Sequence, residues 1–146
     1  MSATVTALHL APARRAPVTP VPHAVALADA GLEGDHHARP GSRRQVLLMD
    51  DDTLRHFALA PGEVREQVTV RGLDVHALAP GTRLAIGEAL FEVAQPCDPC
   101  AFIEGLRPGL QAAMQGRRGR FVRVVRGGRI AVGDAVSASS PGEPAR

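Results

Sequence analysis

The sequence predicts a mainly β fold, a barrel or sandwich of short strands, on three observations. Twelve Pro and 15 Gly punctuate short apolar runs. Those runs recur at roughly 8–12-residue spacing, as in all-β domains and unlike the longer period of βαβ units. The chain has 146 residues, 45% of them hydrophobic, which suits one domain around one core.

Taken in order, the strand candidates are Val5–Leu10, Ala24–Leu27, Arg44–Met49, Gln67–Val70, Arg83–Ile86, Leu90–Val93, Arg120–Val125 and Ala135–Ser137. Ile86-Gly87-Glu88-Ala89 reads as a turn between two of them, and Gly127-Gly128 as a two-residue hairpin turn. One of Asp50, Asp51 and Asp52 can cap a helix through about Leu59, stopped by Pro61-Gly62. A second helix is expected from Gly109 to Gln115, ended by Gly116, and a short helical turn from Cys100 to Glu104. Pro12 to Pro22 is a Pro-rich connection, and a polar tail follows Ser137. There is no internal repeat.

Composition excludes several functions. All 17 basic residues are Arg, against 15 acidic ones, and there is neither Lys nor Asn. Without Lys the chain cannot form a Schiff base with pyridoxal phosphate, nor supply a P-loop lysine. The net charge of +2 and 3% aromatic residues argue against nucleic acid as a partner, despite a pI of about 9.0. No apolar run approaches a membrane span. Met1 to Ala16 holds no apolar segment ahead of a cleavage site, and two cysteines make no disulfide framework, so a cytoplasmic location is expected.

Both cysteines lie in Cys97-Asp98-Pro99-Cys100. A redox pair at a strand-to-helix junction is one reading, opposed by the Asp98 carboxylate and by the absence of flanking βαβ units. A zinc site completed by His36-His37 is another, although adjacent histidines diverge on an extended chain. The bland reading is two inert cysteines in a β core. The last is a thiolate that carries sulfur or binds a soft metal centre beside a site for an anionic cofactor.

Polar clusters could supply that site. Gly31-Leu32-Glu33-Gly34-Asp35-His36-His37 presents Asp35 and His36 from a loop, or is a plain turn with Asp35 as its cap. Arg44 and Gln45 begin a strand on opposite faces, so one of them can reach a barrel mouth. Glu66 and Gln67 follow a charged run that would ordinarily be solvated. Arg117-Arg118-Gly119-Arg120 leads into a strand whose faces mix apolar and basic residues, so Arg120 and Arg123 form either a charge-protected edge or a basic lip for a phosphate.

The order of these segments resembles the MOSC family, named for the C-terminal domain of molybdenum-cofactor sulfurases. The matching stretches are Gly31 to His36, Arg44-Gln45-Val46, Arg65 to Asp74, Gly81, Leu84, Ile86 to Ala89, Pro99-Cys100, Arg120 and Gly133-Asp134. Their joint order, from about Val21 to Val136, carries the resemblance, and the chain is similar to the short stand-alone members. The resemblance implies a closed, largely antiparallel β-barrel with a few short helices over residues 21–137. Residues 1–20 would add an N-terminal strand and connection to the same domain, and 138–146 a flexible tail.

It further implies a sulfur-carrier module that handles the molybdenum cofactor. Cys100 matches the family's cysteine, as thiolate, persulfide or molybdenum ligand, and Cys97 resembles the extra thiol of some short members. Asp35, His36, Arg44, Gln45, Glu66, Gln67, Arg120 and Arg123 would line the cofactor's mouth. Many members carry Asn where this chain has Gln67. A cysteine desulfurase or a molybdoenzyme is the implied protein partner, and any pyridoxal lysine must come from it. Two other readings stay open: a non-catalytic barrel that binds a small anionic ligand or a protein, and a molybdenum-dependent reductase of N-hydroxylated compounds. Reductase members have an additional N-terminal β domain where this chain has only a short stretch before Val21.

Overall fold

In a computed structural model, which describes residues 3–141, the apolar runs form short strands that close on themselves. The strands are β1 (Ala3–Leu10), β2 (Thr19–Val21), β3 (His23–Leu27), β4 (Gly31–Leu32), β5 (Val46–Asp50), β6 (Val68–Arg71), β7 (Arg83–Ile86), β8 (Ala89–Pro96), β9 (Arg120–Arg126), β10 (Gly128–Ala131) and β11 (Ala135–Ser139). The helices are α1 (Asp51–His56), α2 (Ala101–Leu106) and α3 (Leu110–Ala113). Seven strands form a barrel in the order β11-β7-β8-β9-β5-β6-β1, and β1 returns to β11 at Ala3↔Val136. The expected closed barrel is present, but it is mixed: β5 and β6 run parallel, with Leu48 opposite Val68. The α1 crossover between them makes that pairing geometrically accessible.

Residue type explains the centre. Every residue of β5 is buried, because this strand is covered on both faces. Val46 and Leu48 join Phe91, Val93, Val122 and Val124 inside the barrel. Met49 points the other way and packs with Leu54, Val64, Ile103, Leu110 and Met114 beneath the helices. Helices this short are marginal alone, so this second apolar cluster holds them.

Several expectations need correction. Gly127-Gly128 is not a hairpin turn: β10 leaves the barrel and pairs with β3 in a separate three-stranded sheet with β4. The glycines serve close approach instead, since a Cβ on Gly127 would lie 2.7 Å from the Ala26 carbonyl oxygen. α1 ends at His56, three residues before the expected Leu59, because Ala58 turns left-handed at φ 54°. The last strand runs through Ser139, so Ala138 and Ser139 pair with β7 rather than belonging to a tail. Residues 142–146 lie outside the described residues. Gly87-Glu88 does turn β7 into β8, with Ile86 opposite Ala89. Among the described residues, no helix is long and apolar enough to cross a membrane.

Candidate functional site

A cavity of about 850 Å³ opens where β8 runs into α2, and both thiols line it. Pro96 closes β8 and Pro99 breaks the chain again, so Cys97 to Cys100 is a loop held between strand and helix. Cys100 is the N-cap residue of α2; its carbonyl accepts from the Ile103 and Glu104 amides, and its side chain is exposed. Cys97 is half-buried. Burial pushes its thiol up, while the nearby Arg118 charge pulls it down; the net shift is upward. Cys100 is therefore the accessible thiol of the pair.

Arg118 is the residue that sequence reasoning missed. It lines the cavity, is only 5% exposed, and its Nε and Nη1 meet no acceptor among the described residues. Its position follows from the turn before β9. The Gly119 amide donates to His76 Nε2 at 2.9 Å, and the Gly119 carbonyl accepts from the Cys97 amide at 3.1 Å. Gly119 has φ 104°, and a Cβ there would meet the Leu48 carbonyl oxygen at 2.8 Å. Because His76 Nε2 accepts, its Nδ1 carries the proton and faces Asp50 at 3.4 Å. Burial alone would raise the Asp50 carboxyl; hydrogen bonds from His76 and Thr53 reverse this and hold it below the usual range.

The remaining wall is basic. Arg14, Arg15, Arg44 and Arg65 line the same cavity as Arg118, with Asp98 as its carboxylate. Arg44 lies 5.7 Å over the Phe121 ring and Arg65 5.8 Å over Phe102, so aromatic faces support both cations. Arg15 and Arg65 adopt left-handed φ values of 63° and 65°, a conformation that costs about 1–2 kcal/mol at a non-Gly residue.

The other candidates divide clearly. Gln67 lines the cavity beside His37. Its Oε1 accepts from the Leu47 amide at 2.7 Å, and its Nε2 donates to Asp35 at 3.3 Å. Asp35 is buried behind them, where its carboxylate accepts from the Ala11 and His37 amides, each at 2.8 Å. Burial opposes that charge, but the His37 ring and the two amides outweigh it and hold the carboxyl low. Asp35 thus braces the mouth from behind. His37 lines the main cavity, while His36 lines a smaller basin beside it.

Glu66 lies behind the wall with 0% exposure; burial raises its carboxyl even though Gly62 and Thr69 donate to it. Gln45, Arg120 and Arg123 stand away from the cavity. Gln45 bonds Asp29 and the Val124 amide, closing β5 onto β9. Arg120 donates to the His76 carbonyl at 2.9 Å. Arg123 pairs with Glu92 at 3.2 Å on neighbouring β8. Alternation along β9 made Arg120 and Arg123 conspicuous, but the turn just before the strand delivers the basic group. Arg117-Arg118-Gly119 and the Arg14-Arg15 doublet were the available signals.

What the arrangement can do follows from its parts. An exposed thiol stands beside buried Arg118, half-buried Arg65 and exposed Arg14, Arg15 and Arg44, none of which forms an ion pair with a carboxylate among the described residues. Such a cavity favours an anionic ligand whose reacting end is a soft atom.

Comparison with known proteins gives this geometry a family. The chain matches YuaD from Bacillus subtilis with a TM-score of 0.80 at 21% identity, over 96% of this chain and 97% of that one. YiiM from Geobacillus stearothermophilus matches with 0.77 at 18% identity, over 94% and 75%. YiiM from Escherichia coli matches with 0.74 at 21% identity, over 96% and 70%. At these identities the likeness establishes the fold. No curated protein matches the chain. The family model described as the MOSC domain matches residues 33–137, most of the barrel and both cysteines, and the chain therefore belongs to the MOSC domain family.

Proposed function

We propose that this protein handles the molybdenum cofactor or a related metal–sulfur centre, with Cys100 as the working thiol. One observation carries the reading: the exposed Cys100 shares a cavity of about 850 Å³ with buried Arg118, whose Nε and Nη1 meet no hydrogen-bond acceptor among the described residues. Buried donors without acceptors are costly, the Glu66 carboxylate acts on Arg118 through charge alone, and an anionic ligand would offset that cost. The donor set fits a cofactor that brings its own sulfur ligands. Among the described residues, no group of three or more His, Cys, Asp or Glu could hold a bare ion. Cys100 would contribute one thiolate, while Arg118 and Arg44 would hold the anionic end. When bound, the cofactor would supply a soft, redox-active metal.

Sulfur loading needs only the chain's own thiols and a persulfide donor such as a cysteine desulfurase. The Cys100 thiolate attacks the donor's terminal sulfur, the donor's S–S bond breaks, and the donor thiolate leaves. Cys100 then carries a persulfide. Attack by the Cys97 thiolate on Cys100 Sγ expels hydrosulfide and leaves a Cys97–Cys100 disulfide, so the electrons balance.

The test is intact-mass measurement after incubation with a cysteine desulfurase and cysteine. Cys97→Ser should gain and keep the mass of one sulfur atom. Wild type should gain it and then release it to end as the disulfide, lighter by two hydrogen atoms, and Cys100→Ser should gain none. Equal loading of Cys97→Ser and Cys100→Ser would overturn the role of Cys100.

A further inference from the structure

The arginine-lined cavity does not end at its mouth. Arg14, Arg15, Arg44, Arg65 and His37 also line a second, outer basin of about 390 Å³. Arg39 and His36 belong to that outer basin alone, and Arg118 to the inner cavity alone. Asp98 lines the inner cavity, whereas no carboxylate among the described residues lines the outer basin. The arginine–carboxylate pairs among the described residues involve Arg55, Arg71, Arg83 and Arg123, so none of these basin arginines is neutralised in that way.

Two features give this concentration meaning. The chain as a whole carries only +2, so gathering five arginines around one basin is a local arrangement rather than a bulk property. It is also held against strain, since Arg15 and Arg65, which face both cavities, are left-handed. Like charges gathered this way repel, and a bound polyanion converts the repulsion into binding.

We propose that the outer basin is a second anion subsite and that the ligand is a diphosphate ester. One phosphate lies inward toward Arg118. The other lies outward toward Arg39, and Arg44 and Arg65 contact both across the shared wall. Because one layer of side chains serves both cavities, the two anionic groups must be joined by a short link, as in a P–O–P bridge. A monophosphate fills one subsite only. The proposal rests on the reading of the inner cavity as an anion site, and it adds the class of molecule that site receives.

Calorimetric titration of the full chain with AMP, ADP and inorganic pyrophosphate, at constant ionic strength, tests it. ADP should bind at least about tenfold more tightly than AMP, as expected when a second linked group engages its own subsite. Arg39→Gln should reduce that preference by about threefold or more, since Arg39 lines only the outer basin and would form charge-assisted bonds to a phosphate there. Arg118→Gln should weaken ADP and AMP alike. Equal affinity for ADP and AMP, an unchanged preference in Arg39→Gln, or pyrophosphate binding without ADP binding would each overturn the diphosphate ester. Loading of Cys100 is read by mass and diphosphate binding by heat, so the two ideas fail separately. Sulfur loading without an ADP preference removes the second subsite, and an ADP preference without loading removes the sulfur chemistry.

Discussion

Burial of Arg118 is costly to the fold. The residue is 5% exposed, and two of its guanidinium nitrogens meet no acceptor among the described residues, a state that burial disfavours. Arg118→Met keeps the packing volume and removes the charge. Thermal melts should show the variant more stable by on the order of 1 kcal/mol, a rise of about 3 °C for a chain of this size. Added phosphate should raise the Tm of the wild type by more than that of the variant, which keeps the outer arginines. A less stable variant that responds to phosphate as fully as wild type would contradict the account. This residue was hard to read in the sequence because strand alternation ranks Arg120 and Arg123 above it. Only the fold shows Arg120 spent on the His76 carbonyl and Arg123 on Glu92. Cys97 and Cys100 were legible at once, because they are the chain's only thiols.

At the scale of the element, α1 shows how a stop signal is misplaced. Asp50 starts the helix as expected, accepting from the Thr53 amide at 2.9 Å. The end is a Schellman motif: the Leu59 amide donates to the Leu54 carbonyl and the Ala58 amide to the Arg55 carbonyl. Arg107 reaches over from the end of α2 to donate to the Phe57 carbonyl. Pro61-Gly62 was the stronger written signal, but buried Leu59 pulls the chain off the helix first. Ala58 occupies the position that ordinarily takes Gly, with φ 54°. Ala58→Gly should therefore stabilise the protein by about 1 kcal/mol, seen as a higher urea midpoint with an unchanged m-value. A lower midpoint would mean that unfolded-chain entropy outweighs the relieved strain. α3 is capped at a distance: the Glu104 carboxylate accepts from the Gly109 and Gln111 amides, which holds its carboxyl low. Sequence spacing alone carries no mark of that contact.

For the whole molecule, acid is the informative stress. Asp35 ties the chain after β1, through Ala11, to Gln67 at the entry of β6, and Asp50 ties α1 to His76. Both carboxyls lie below their ordinary value when folded, despite burial, because donors surround them. Below the ordinary value the unfolded chain binds more protons than the folded one, so stability rises with pH there. Their contribution is complete above about pH 4 and is lost as pH falls through the lower folded values. Glu66 works the other way, since burial raises it and acid relieves that cost. Urea midpoints measured between pH 6 and pH 2 should fall toward acid, and Asp35→Asn should flatten that fall while lowering the midpoint at neutral pH. An acid limb as steep in Asp35→Asn as in wild type would remove Asp35 from the explanation.

By itself, the sequence determined the β class, the seven barrel strands to within a few residues, the Asp50 cap and the thiol pair. Each is local: alternation, turn residues, a cap or a count of cysteines can be read within a few positions. Tertiary structure decided the parallel β5–β6 pair, the exit of β10 into a second sheet, and which cations meet at the cysteines. Arg14, Arg65 and Arg118 are far apart in the chain and come together only when the barrel closes. Whether an arginine faces a carboxylate, a carbonyl or a cavity depends on the neighbours that closure brings, and no local pattern of residues encodes them.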